Sequence, residues 1–120
     1  MLINTDFFQE NFGLTMSQDI VDFFYNTTLQ EELPITYQFK HVDFILEVQY
    51  FLNITAQKSS DLKGWKLPFA VTSDGYELQA DLSTEKLEVF QNEYGDLDSL
   101  GVSIKDMIDV NAVTLINHSP

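Results

Sequence analysis

The stretch 64–91 constrains the fold most, because three short apolar runs in it are separated by two polar turns. This pattern predicts an antiparallel meander. Asp74-Gly75 predicts a type I′ hairpin turn between the first two runs, since both residue types tolerate positive φ. Apolar and polar residues alternate from Tyr76 to Leu82, which predicts one buried face and one solvated, acidic face.

Helical patterns flank this meander on both sides. Thr5–Phe12 is predicted as a short helix ended by Gly13, and Ser17 is predicted to cap a second helix that frays near residues 26–28. Ile35–Phe39 alternates as a strand, and Ser103 is predicted to cap a short helix with an apolar face of Ile104, Met107 and Ile108. The chain is therefore predicted to be α+β, with N-terminal and C-terminal helices packed against an antiparallel curved sheet.

Four further segments are less regular. Asp43–Ile54 fits a strand and a helix equally well, because its apolar residues satisfy both periods. Residues 55–63 and 91–100 are polar and are predicted as loops, the second of them acidic. The tail 111–120 either adds a brief strand at Val113–Ile116 or is flexible.

Size and composition indicate a single packed domain spanning residues 1–120. The 120 residues are 44% hydrophobic and include ten phenylalanines, which argues against disorder. The absence of cysteine excludes disulfides and suggests a reducing compartment. No signal peptide is recognisable at the start, and no apolar run approaches the roughly 20 residues that span a bilayer. These features predict a cytoplasmic protein that does not enter a membrane.

Charge indicates what kind of partner the protein has. Nineteen acidic residues oppose six lysines, no arginine is present, and the net charge is −13. Such a field repels nucleic-acid phosphates and anionic lipids, whereas it accelerates association with a basic protein. Many acidic domains carry such charge only for solubility, but the lack of arginine favours a positively charged protein partner.

No motif in the sequence identifies an active site. His41 and His118 have no nucleophile or acid at a recognisable spacing, and both are expected to be surface residues. Asp96–Gly101 superficially resembles a calcium loop, but Met107 stands where a bidentate glutamate is required. The sequence therefore offers no motif for catalysis, for a cofactor or for a metal. A small hydrolase that uses two carboxylates is the alternative, since nineteen acids offer many pairs.

The candidate binding residues lie on and after the meander. Two aromatic residues are possible anchors and eight acids are possible contacts for lysines and arginines, although each acid taken singly is more often just part of the wet face of the sheet. They are Trp65, Tyr76, Asp74, Glu77, Asp81, Glu85, Glu88, Glu93, Asp96 and Asp98.

The order of these elements also resembles a known family. Five segments carry the resemblance, in this order: the opening 11–24, the Trp65–Ala70 strand with its Pro-Phe-Ala, the turn at Asp74-Gly75, the strand Leu78–Leu82 followed by Val89, and the closing Ser103–Ile108. Together they resemble the SUKH superfamily. That superfamily contains fungal regulators of cell-wall glucan synthesis and many bacterial immunity proteins. The sequence departs from its pattern after the second helix, where Asn26 is followed by two threonines, and at Ser17, which replaces a proline.

The resemblance carries implications for fold and function. It implies an α+β domain and favours a helix, or a helical turn near Asp43 that passes into a strand. It also implies a non-enzymatic binding protein, in bacteria commonly an immunity protein that neutralises a cognate toxin. Together with the net charge of −13 and the lack of arginine, this predicts a basic toxin partner, often a nuclease. The alternative that it offers is an intracellular regulatory or scaffold protein of the cell-wall-regulator type.

Overall fold

The computed structural model describes residues 4–28, 34–56, 64–84, 87–93 and 95–117. Three α-helices, a 3-10 turn and seven strands follow one another in this part of the chain. Their bounds are α1 Thr5–Phe12, α2 Gln18–Thr28, β1 Ile35–Phe39, β2 Ile45–Phe51, the 3-10 turn Ile54–Ala56, β3 Lys66–Thr72, β4 Glu77–Asp81, β5 Glu88–Glu93, β6 Asp96–Ser103, α3 Ile104–Ile108 and β7 Val113–Asn117.

All seven strands belong to one curled antiparallel sheet with the order β6-β5-β4-β3-β2-β1-β7. Strands β1 to β6 pair in sequence order, and β7 returns to pair with β1 at the far edge. The predicted α+β class, with an antiparallel sheet and helices near both ends, is confirmed. None of the helices described here is long and apolar enough to cross a membrane.

Helix α1 begins and ends where local signals predict. The Asn4 side chain accepts a hydrogen bond from the Phe7 backbone N–H at 3.1 Å, which satisfies one of the free donors of the first turn. Gly13 ends the helix with φ at +68°, a conformation that a residue without Cβ adopts without strain. Phe7, Phe8 and Phe12 are buried, so this short helix is held mainly by its aromatic face.

The helices pack on one face of the sheet through aromatic side chains. The Phe24 ring on α2 lies 5.5 Å from the Phe8 ring on α1 and 6.2 Å from the Phe69 ring on β3, centroid to centroid. All three side chains are fully buried, and burying each contributes roughly 1.5–3 kcal/mol. We call this covered side of the sheet the inner face and the opposite side the outer face.

Helix α3 carries the predicted cap. The Ser103 hydroxyl accepts a hydrogen bond from the Asp106 backbone N–H at 3.2 Å, and the Asp106 carboxylate accepts one from the Ser103 N–H at 2.9 Å. This reciprocal pair is a capping box, which satisfies two helix-end donors at once. The His41 imidazole lies 3.5 Å from the same carboxylate.

The preference for a helical turn near Asp43 was wrong, because Ile45–Phe51 is strand β2. Its backbone pairs with β1 on one side and β3 on the other, which a helix cannot do. A bulge between Val48 and Tyr50 explains the ambiguity. Because of the bulge, Phe51 lies on the inner face three residues after Val48. Apolar residues three positions apart are also typical of a helix.

The predicted acidic loop at 91–100 was also wrong. Strand β5 continues to Glu93, and β6 begins at Asp96, which pairs with Glu93. Strand β6 is an edge strand, where charged side chains stay in water and protect the sheet from further pairing. Acidic composition therefore does not indicate a loop at this position. Residues 57–63, within the other predicted loop, lie outside the described residues.

The turn at Asp74-Gly75 lies where it was predicted but has another geometry. The Gly75 N–H donates to the Thr72 carbonyl at 2.9 Å, and the Thr72 N–H donates to the Tyr76 carbonyl at 2.8 Å. Gly75 has φ at +89°, whereas Asp74 does not have positive φ. The connection is thus a three-residue loop with glycine in the left-handed position, not the two-residue type I′ turn.

The C-terminal tail adopts the strand alternative. Val113–Asn117 forms β7 and pairs with all five residues of β1, from Phe39 opposite Val113 to Ile35 opposite Asn117. His118 lies outside the described residues.

Candidate functional site

The sheet divides the predicted binding residues between different surfaces. Register places Glu77 and Asp81 on the outer face of β4, and alternation places Glu88 on the outer face of β5. On edge strand β6, Asp98 pairs with Gln91, and Gln91 pairs with the buried Leu78 of β4. Residues paired in register lie on the same side of a sheet, so Asp98 lies on the inner side, and so does Asp96 two residues before it. The predicted acids therefore do not form one continuous docking surface.

The outer face also contains partners for its acids. The Gln79 amide donates to the Glu77 carboxylate at 2.9 Å, and the Asp81 carboxylate accepts bonds from the Ser83 N–H and hydroxyl at 2.9 and 2.6 Å. The Lys66 ammonium lies 5.4 Å from the centroid of the Phe90 ring, directly among these strands. Because the acids are half-buried and a lysine stands beside them, this face is only weakly suited to a cation.

The other predicted residues are scattered. Trp65 is 40% exposed and has φ at +64°, and its carbonyl accepts a hydrogen bond from the Leu82 N–H at 2.9 Å. Asp74 is exposed in the β3–β4 loop, and Tyr76 is half-buried at the end of that loop. Glu85 and the side chain of Glu93 lie outside the described residues.

A different site is formed on the helical side. An open groove of about 650 Å³ lies between α2, α3 and the first two strands, within the roughly 300–1,000 Å³ range of ligand sites. Its lining combines acidic rim residues with an aromatic floor: Asp19, Asp22, Phe23, Asn26, Thr27, Tyr37, Phe51, Lys105, Ile108 and Asp109.

Helical spacing brings the rim residues together. Asp19, Asp22 and Asn26 are separated by three and four positions on α2, so they share one side of that helix. Gln18 donates to the Asp22 carboxylate at 2.8 Å and orients it. Asp109 follows α3 directly, and its carboxylate accepts the Asn111 N–H at 2.9 Å.

Electrostatics make the groove a site for positive charge. Asp19, Asp22 and Asp109 are exposed, and none of them forms an ion pair within the described part of the chain. They face a single ammonium, that of Lys105, so the lining has a net charge of −2. Across the residues that the structure describes, no group of three or more His, Asp or Glu side chains is arranged to hold a metal ion. The net negative lining therefore attracts a positively charged group.

The floor contains a buried phenol. Tyr37 is only 5% exposed, and burial raises the pKa of its hydroxyl from 10.0 to about 12, so it is neutral at physiological pH. The hydroxyl donates no hydrogen bond to, and accepts none from, any residue that the structure describes. Tyr37 lines the groove, and its hydroxyl is not among the fully buried side-chain atoms without a hydrogen-bond partner, so a bound molecule can reach it.

The groove was missed in the sequence because each residue in it has another local explanation. Asp19 lies in the first turn of α2, where an acid complements the helix dipole, and Phe23 and Tyr37 fit the apolar periods of a helix and a strand. The available signal was the polar series Asp19, Asp22 and Asn26 beside Phe23 on one helix. These residues of α2 form a site only together with α3 and β1, which lie beside them in the fold.

The fold and the groove define a class: an α+β protein with a seven-stranded antiparallel sheet and an acidic groove on its helical side. Comparisons with protein-family models, with curated proteins and with solved structures found no match to this chain. The resemblance to the SUKH superfamily therefore stays a prediction from the sequence.

Proposed function

We propose that this protein is a non-enzymatic binding module for a positively charged protein and that its cognate partner is a basic toxin domain, which it neutralises. The single observation that carries the proposal is the groove, in which three exposed carboxylates face one ammonium in a chain of net charge −13. The toxin assignment rests in addition on the SUKH resemblance of the sequence.

The physical mechanism has two parts. The negative field steers a cationic domain toward the protein and raises the association rate, an effect that weakens as salt screens the charges. Aromatic side chains at the groove floor then provide apolar contact area for the bound complex. Binding in this way blocks the surface of the partner without any covalent step.

Exposure of the acids favours binding over the hydrolase alternative. A carboxyl group that acts as a general acid is usually held in apolar surroundings that keep it protonated. Asp19, Asp22 and Asp109 instead lie open to solvent at the rim. This arrangement is suited to receiving a charged group from outside.

Co-expression tests the proposal. The product of the neighbouring gene should be toxic to the host cell when produced alone and harmless when this protein is produced with it, and the two should co-purify. A gene neighbourhood without any toxic product, together with several stable partners in pull-downs, would support the regulatory alternative and reject the toxin assignment.

Matched variants locate the interface. The Asp19→Asn/Asp22→Asn variant should weaken the complex by about 10- to 100-fold at low salt and reduce its salt dependence, since two steering charges are lost. Glu10→Gln/Asp43→Asn makes the same charge change at exposed positions outside the groove and should alter affinity less than about threefold. Isothermal titration at several salt concentrations measures both, and equal losses for the two variants would contradict a groove-centred interface.

A further inference from the structure

The groove offers two independent features to a ligand. One is the excess of carboxylate at its rim, where Asp19 and Asp22 stand one helical turn apart on α2. The other is the Tyr37 side chain in its floor, which is 95% buried and has no hydrogen-bond partner among the described residues. The first feature favours a cation. The second favours a hydrogen-bonding group that reaches the groove floor between apolar rings.

A guanidinium group satisfies both features better than an ammonium does. It presents five N–H donors in a planar fork, so it can donate to rim carboxylates and to the phenol oxygen at the same time. Its flat faces stack on aromatic rings, and Phe23 and Phe51 lie at the groove with ring centroids 6.3 Å apart. It is also more weakly hydrated than the lysine ammonium, so entering an aromatic floor removes less favourable hydration.

We propose that the groove receives an arginine side chain of the partner, which extends between Asp19 and Asp22 and donates to the Tyr37 hydroxyl. This inference rests on the proposed function, because it assigns the contact that the cationic partner makes. It also gives a physical meaning to the absence of arginine from this chain, since no guanidinium of its own competes for the site.

Short peptides test the inference without the partner. The full chain, labelled with ¹⁵N and ¹³C, is titrated with acetyl-Gly-Arg-Gly-amide, and NMR follows the ring signals of Phe23 and Tyr37 and the amides of α2. The same peptide with citrulline keeps the shape but lacks the charge, and the peptide with lysine keeps the charge but lacks the planar fork. We expect saturable shifts confined to the groove, with lysine about 3- to 10-fold weaker and citrulline at least about 10-fold weaker than arginine.

Variants separate the two features. Asp19→Asn/Asp22→Asn should weaken arginine binding about tenfold, and Tyr37→Phe about threefold, while Glu10→Gln/Asp43→Asn leaves it unchanged. All of these replacements are close in size to the original residues, and the NMR spectrum of each variant verifies its fold. Shifts spread over all acidic surfaces, equal affinity for arginine and lysine, or no effect of the groove variants would overturn the inference.

The outcome is separable from that of the proposed function. If co-expression protects the cell but the arginine peptide does not enter the groove, only the arginine inference is wrong. If the arginine peptide binds as described but no toxic neighbour exists, the groove assignment stands and the toxin assignment is wrong.

Discussion

Replacing Tyr37 with phenylalanine should leave the stability of the free protein almost unchanged at neutral pH and should change how that stability depends on pH. The substitution removes only the hydroxyl from a side chain that is 5% exposed and keeps the ring that packs 6.3 Å from Phe39. Because the hydroxyl borders the open groove and bonds to no residue in the described part of the chain, its removal should change the free energy of unfolding at pH 7 by less than about 0.5 kcal/mol.

The same substitution should change how stability depends on pH. The pKa of Tyr37 is 10.0 in a solvated state and about 12 in the fold, so the folded state retains the proton more tightly. The stability linked to this group is fully present below pH 10 and is lost as pH rises from 10 to 12. At 1.36 kcal/mol per pKa unit, the free energy of unfolding of the natural protein should fall by about 2–3 kcal/mol over this interval. Tyr37→Phe should not show this decrease.

Urea unfolding followed by circular dichroism at pH 7, 10, 11 and 11.5 measures both effects. Tyr50→Phe is the matched control, since Tyr50 is 38% exposed and its replacement should change stability by less than about 0.5 kcal/mol at pH 7. A loss of more than about 0.5 kcal/mol in Tyr37→Phe at pH 7 would show that the hydroxyl has a stabilising partner. Parallel pH curves for Tyr37→Phe and the natural protein would refute the burial argument.

Two further substitutions test the core and the cap. Phe24→Ala should lower the free energy of unfolding by about 3–5 kcal/mol, because a fully buried ring joins both N-terminal helices to Phe69; a loss below about 1.5 kcal/mol in urea unfolding would contradict this role. Ser103→Ala should cost about 1 kcal/mol through loss of the capping box, whereas Ser103→Gly should cost only a few tenths; equal losses for the two would mean that the hydroxyl does not act as a cap.

The placement of the acids changes how a binding surface should be sought in this protein. The acids of the meander are close in sequence, but successive strand residues face opposite sides of the sheet. Asp81 uses its carboxylate to hold the turn at Ser83, and Glu77 is bound by Gln79. Within the described part of the chain the carboxylates at the groove rim form no ion pair, and they come from α2 and from the end of α3, which are far apart in sequence.

The sequence by itself determined the elements whose signals are local. The caps at Asn4 and Ser103, the glycine at position 13 and the alternation around Leu78 each act within a few residues, so they specify α1, α3 and the central hairpin without the rest of the chain. These signals were sufficient for the α+β class and for the position, though not the type, of the β3–β4 turn.

Only the tertiary structure decided β2, β6 and the groove. Ile45–Phe51 is a strand because β1 and β3 hydrogen-bond to both of its sides, and Asp96 belongs to a strand because β5 ends beside it. Tyr37 acquires its raised pKa from side chains that approach it only in the fold, and the groove needs residues of α2, β1, β2 and α3 together. Pairing and burial of this kind depend on contacts between distant parts of the chain, which local periodicity and composition do not encode.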